Sequence, residues 1–179
     1  MLAALAVAAV VSAAVFSSSH HLAAPTSSPV AREAGQPRLP PAASAGEIVL
    51  YGHVKSLTRH GSRFEMRFDP AWWLSGVTAE RAAVADKAIR PGEAVPNDYY
   101  IVEEGHRLLT YLVPQTAHVT VLTRHGGRLI PATAITVSEL AQIVKGRNPK
   151  HRQLMEPKAG FWMRVAMDTV RSLDQQYQP

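Results

Sequence analysis

The sequence predicts an α+β, mainly β domain: an antiparallel β-barrel or sandwich of about seven short strands with one or two short helices. Three observations carry that expectation. Short runs rich in Val, Ile, Leu, Phe and Tyr recur at hairpin spacing, separated by Gly, Pro and Asn-containing turns. The run RFEMRF (residues 63–68) alternates cleanly, with Phe64, Met66 and Phe68 on one side and Arg63, Glu65 and Arg67 on the other. The few helical stretches do not alternate with strands, so no βαβ unit and no parallel sheet is called for.

The first strand falls on EIVLYGHVKSL (residues 47–57), and TRHGS (residues 58–62) is its hairpin loop, with glycine available for a left-handed position. RFEMRF is the second strand, and Asp69-Pro70 ends it. TAERAAVADKAI (residues 78–89) reads as a helix with Thr78 as N-cap and Arg90-Pro91-Gly92 as its stop. DYYIVEE, RLLTYLV and HVTVLT (residues 98–104, 107–113 and 118–123) follow as a meander turning at EEGH and PQTA. Thr136-Val137-Ser138-Glu139 is a capping box. It opens a helix through Lys145 that puts Leu140, Ile143 and Val144 on one face and stops at Gly146. FWMRV (residues 161–165) and VRSLDQQY (residues 170–177) close the domain as strands joined near Ala166-Met167-Asp168-Thr169.

Ahead of this domain the pattern changes. LAALAVAAVVSAAVF (residues 2–16) is an uninterrupted small and apolar run. It is short for a bilayer span, which needs roughly 20 residues, and suits the apolar region of a signal peptide. Small-x-small cleavage options follow at Ser12-Ala13-Ala14 and Leu22-Ala23-Ala24, while the usual basic residues before the run are missing. The Ser-, Pro- and Ala-rich tract after it has no apolar period and reads as a disordered linker. The expected plan is a signal peptide or N-terminal anchor over residues 1–24, a linker over 25–45 and a β-rich domain over 46–179. The expected location is secreted, or anchored to the cell envelope through the apolar segment.

The chain of 179 residues has 46% hydrophobic residues, enough for a packed core. It has no cysteine, which excludes disulfides, thiol catalysis, cysteine-ligated metals and lipid attachment through an N-terminal cysteine. The net charge is +5, and no Asp, Glu, Lys or Arg precedes Arg32, so the whole excess belongs to the later part. A basic surface favours anionic polymers of the cell wall or an anionic membrane surface; nucleic acid ranks below these.

Two stretches, HVKSLTRHG (residues 53–61) and HVTVLTRHG (residues 118–126), agree at seven of nine positions. The RHG triplet resembles that of the histidine phosphatase superfamily, whose histidine is phosphorylated while the arginine holds the phosphate. That resemblance implies catalysis by His60 or His125. It covers four or five residues, and each copy here is followed by strand-type sequence rather than a helix. The plainer reading is one hairpin turn used twice, a polar pair before a positive-φ glycine.

The eight histidines show no zinc spacing, the carboxylates mark no acid–base pair, and no dinucleotide, phosphate-loop or nucleophile-elbow motif occurs. No metal or cofactor is therefore expected, and the domain reads as non-enzymatic. The ligand-binding candidates are aromatic side chains and one neighbouring arginine: Trp72 and Trp73 in FDPAWWLSG, Tyr99 and Tyr100 in NDYYI, and Trp162 with Arg164 in GFWMR. Adjacent aromatics on a strand point to opposite faces, so one of each pair is free to stack on a ligand. An oligonucleotide- or oligosaccharide-binding barrel of OB type is the alternative these residues raise. It is weakened because OB folds place a helix after their third strand, whereas the clearer helix here follows five.

FDPAWWLSGVTA, VPNDYYIV, ITVSELAQIVKGRNP and FWMRV with VRSLDQQYQP together resemble exported proteins of high-GC Gram-positive bacteria, over most of residues 46–179. The resemblance implies an envelope protein with no assigned activity and carries no catalytic residue. The functional expectation is an exported, envelope-associated binding or scaffolding domain, with its ligand and oligomeric state left open.

Overall fold

The computed structural model describes residues 42–103, 105, 107–126, 128–156 and 159–178. The expected leader, the linker up to residue 41, and His20, His21, Glu104 and His106 lie outside them. The elements are β1 (Ile48–His60), β2 (Arg63–Ser75), α1 (Gly76–Ala85), a 3-10 turn (Pro96–Asp98), β3 (Tyr99–Glu103), β4 (Leu109–Pro114), β5 (His118–His125), β6 (Arg128–Ile135), α2 (Val137–Val144), β7 (Phe161–Ala166) and β8 (Thr169–Gln175). The strands form one sheet of order β3-β2-β1-β7-β8-β5-β6, with β4 bound to both β2 and β8. The fold class is mainly β, as the alternation requires.

Five of the strands close on themselves. β1 pairs with β2 and β7, β2 with β4, and β7 with β8, all antiparallel; β4 then meets β8 in parallel at Leu112 and Thr169. A bond from the Leu112 N–H to the Asp168 carbonyl, 3.1 Å, reinforces that narrow seam. The ring is thus partly open. With β3, β5 and β6 attached outside it, the whole is sandwich-like rather than a closed barrel. Counting strands before α2 had spoken against an OB-type ring. β3, β5 and β6 stand outside the ring, and without them α2 falls between its third and fourth strands, as in an OB-type barrel.

The inner face explains the alternation of RFEMRF. Phe64, Met66 and Phe68 lie fully inside with Leu57 of β1, Val113 of β4, Met163 and Val165 of β7, and Leu173 of β8. α2 packs Val137, Leu140 and Ala141 into the same core. Each such large side chain contributes roughly 1.5–3 kcal/mol by leaving water. Gly52 is where β1 lets Phe68 through: a Cβ there would overlap the Asp69 carbonyl and come within 2.9 Å of the Phe68 ring.

Several sequence expectations are corrected. β2 does not stop at Asp69-Pro70 but runs on to Ser75. The proline sits where the outer edge of β2 changes partner, from β4 up to Phe68 to β3 from Ala71 on, a gap in the ladder that tolerates a residue without an N–H. The helix expected over 78–89 spans Gly76–Ala85. It ends on paired bonds from Lys87 N–H to Val84 O (3.0 Å) and Ala88 N–H to Ala83 O (2.8 Å), with Lys87 at φ 60° doing what glycine usually does at a helix end. The meander does not form: β3 and β4 both pair with β2, and β5 pairs with β6 and β8. β6, formed by the strand-type sequence after the second RHG, adds an eighth strand to the seven expected.

The repeated RHG is one turn used twice. β1 and β5 both run through the arginine to the histidine, His60 faces Arg63 and His125 faces Arg128 across the hairpins, and Gly61 and Gly126 take φ of 61° and 55°. The preceding strand segments differ. The register slips between Val54 and Ser56 in β1, but between Val121 and Thr123 in β5.

α2 starts as its capping box predicts, with the Thr136 hydroxyl accepting from the Glu139 N–H at 3.1 Å. The Glu139 carboxylate does not complete the box. It is buried, accepting from Arg152 Nε at 2.6 Å and lying 2.9 Å from Lys150 Nζ, off the line of a good hydrogen bond. Burial raises its pKa, but the two cations outweigh that and hold it below the usual carboxylate range.

Candidate functional site

The outer surface of the ring divides along β2. Over the first half, Arg63, Glu65 and Arg67 stand between β1 and β4. Register aligns His60 with Arg63 and Pro114, Thr58 with Glu65 and Leu112, and Ser56 with Arg67 and Thr110. Arg63 is exposed, and Arg67, half-buried, donates to the Thr110 hydroxyl at 2.9 Å. Arg59, at the hairpin end, donates to its own turn at the Gly61 carbonyl, 3.1 Å. None of these three arginines forms an ion pair among the described residues. On one strand Arg63 and Arg67 are roughly 13 Å apart. That spacing presents two guanidinium groups to an extended polyanion, each able to grip a phosphate or carboxylate through two N–H donors.

The second half of β2 carries the aromatic candidates, and there the structure brings together Trp73, Tyr99 and Trp162. Trp73 stacks on Tyr99 with ring centres 4.1 Å apart and planes 13° from parallel. Tyr51 of β1, which sequence reasoning did not single out, joins them at 5.1 Å from Trp73 and 5.0 Å from Trp162. The strand order β3-β2-β1-β7 is what assembles the group. It is a second core: Tyr51 and Trp162 are buried with Ala71, and Val49, Trp73 and Ile101 pack around them. The Trp162 indole N–H donates to Gln176 at 2.9 Å, and Gln178 donates to the Tyr51 hydroxyl at 2.6 Å. Burial pushes the Tyr51 phenol up to about 12.

Trp72 and Tyr100 lie elsewhere, and Arg164 stands beside the group, opposite Val49. Trp72 points to the opposite face of β2 and is 59% exposed. Tyr100 packs with Leu74 against Ala79 and Ala83 of α1 and donates to Asp86 at 3.2 Å. Arg164, half-buried, donates to the Ser172 hydroxyl at 2.8 Å.

A cleft of about 400 Å³ opens between β1 and the end of α2, lined by His53, Val54, Lys55, Ile143, Val144, Gly146, Ala159 and Phe161. Its two ionisable groups face carboxylates: His53 Nε2 lies 3.0 Å from Glu103 and Lys55 Nζ 2.9 Å from Asp69. The cleft therefore lacks the surplus charge that the first half of β2 displays. His60, one of the two residues the phosphatase resemblance points to, sits on an exposed hairpin tip.

No family model matches the chain, and no curated protein or solved structure matches it.

Proposed function

We infer that this is a non-enzymatic binding domain of the cell envelope, exported by its leader, which docks on an anionic surface through the outer face of β1, β2 and β4. The observation that supports this reading is Arg63 and Arg67 on one sheet surface, without ion pairs among the described residues and with Glu65 as the acid between them. A sheet face with separated guanidinium groups suits repeating charges on a polymer or headgroup lattice. It does not form the enclosed constellation that bond-making requires. The overall charge of +5 adds long-range attraction of the same sign.

Retention on cell wall, on immobilised polyphosphate and on anionic vesicles tests the reading. Binding is expected at low ionic strength and should fade as the Debye length shrinks from about 10 Å at 0.1 M salt toward 3 Å at 1 M. Binding that ignores salt, or no binding to any of the three, would remove it.

A further inference from the structure

The docking face has an apolar edge that a dissolved polyanion would leave unused. The turn from β7 to β8 has two residues, Met167 and Asp168, at φ of 45° and 59°. Left-handed hairpin turns of this kind form with least strain from Asn-Gly or Asp-Gly, so a long apolar side chain at the apex is held there against backbone preference. Met167 is 91% exposed. Beside it lies Leu112, 40% exposed, whose own N–H bonds the Asp168 carbonyl and whose ladder partner is Thr169.

Cations surround this edge. Leu112 faces Glu65, which stands between Arg63 and Arg67 on β2. Exposed Arg171 follows Thr169 two residues along β8. The acids in the same area are Glu65 and Asp168, so arginine predominates. A flexible thioether flanked by guanidinium groups suits the boundary between headgroups and acyl chains. There the apolar tip leaves water while the arginines stay with the phosphates.

The geometry points to an anionic lipid bilayer as the partner, with Met167 and Leu112 dipping below the headgroups and Arg63, Arg67 and Arg171 holding the phosphates. This rests on the docking face proposed above and narrows its partner from any anionic surface to a membrane.

Because the chain contains no cysteine, Met167→Cys offers a unique site for an environment-sensitive fluorophore. On mixed phosphatidylglycerol and phosphatidylcholine vesicles the label should shift to the blue and be quenched by lipids brominated on the acyl chain. The same label at Val77→Cys, 62% exposed on α1, a helix that packs against β2 and β3, should not respond. Unlabelled Met167→Ser should bind those vesicles about tenfold more weakly, with retention on soluble polyphosphate unchanged. A label that stays in water on bound vesicles, or Met167→Ser binding vesicles like the parent, overturns the membrane inference. The docking face would still stand if polyphosphate retention remained and vanished in Arg63→Gln/Arg67→Gln. Absence of binding to both vesicles and polyphosphate overturns both.

Discussion

The two halves of β2 differ in what covers their outer face. From Arg63 to Phe68 the strand pairs with β4, and its outward side chains Arg63, Glu65 and Arg67 stand opposite Pro114, Leu112 and Thr110. From Ala71 to Ser75 it pairs with β3, and outward Trp73 is packed between Tyr51, Tyr99 and Trp162. The side chains that looked most like ligand anchors are largely occupied with one another and with Gln176 and Gln178. The guanidinium groups of Arg63 and Arg67, by contrast, form no ion pair among the described residues. What a side chain can bind depends on what its own fold leaves it, more than on its type.

The largest effect should come from breaking the aromatic half. Trp162→Ala removes a buried indole, two ring contacts and the bond to Gln176. It should cost about 4 kcal/mol in urea unfolding, and Trp162→Phe should cost less. A loss below about 1 kcal/mol would mean the cluster is loosely covered and the contrast between halves is weak.

A second effect sharpens the same contrast by pH. Tyr51 has its phenol raised from 10.0 to about 12, first by burial and further by Glu103, against the bond from Gln178. A raised folded pKa means the stabilisation is complete below about 10 and is lost as pH climbs from there to about 12. Over that window the domain should lose on the order of 2–3 kcal/mol. Urea midpoints at stepped pH measure it, and Tyr51→Phe should flatten the decline. A decline unchanged in that variant would place Tyr51 in water.

Much of this was legible along the chain where local chemistry decides. Thr136 caps α2 as its spacing foretold, and the alternation of RFEMRF placed three core residues and both arginines on their proper faces. The two RHG copies are the same turn because a positive-φ glycine after a polar pair is a local requirement. Elsewhere the deciding contact is distant. Pro70 ends no strand, because β2 changes partner around it and the partners, β3 and β4, lie 30 to 40 residues on. Lys87 hides the end of α1, since nothing local marks a lysine as left-handed. The convergence of Trp73, Tyr99 and Trp162 on Tyr51 follows from strand order, and no short window contains it. The arginine face could be read as alternating charge, but that its arginines form no ion pair among the described residues appears only once β4 is known to be the neighbour.

The measurement that bears most directly on the account compares Arg63→Gln/Arg67→Gln with Trp72→Ser for salt-dependent binding to polyphosphate and to anionic vesicles. The arginine pair should weaken vesicle binding about thirtyfold, at roughly 1 kcal/mol for each cation near an anionic membrane. Polyphosphate binding should fall and its salt dependence flatten, while the unfolding midpoint stays put. Trp72→Ser should change neither binding nor stability. Full binding without the two arginines, or its loss with Trp72, would show that the aromatic half of β2 does the docking.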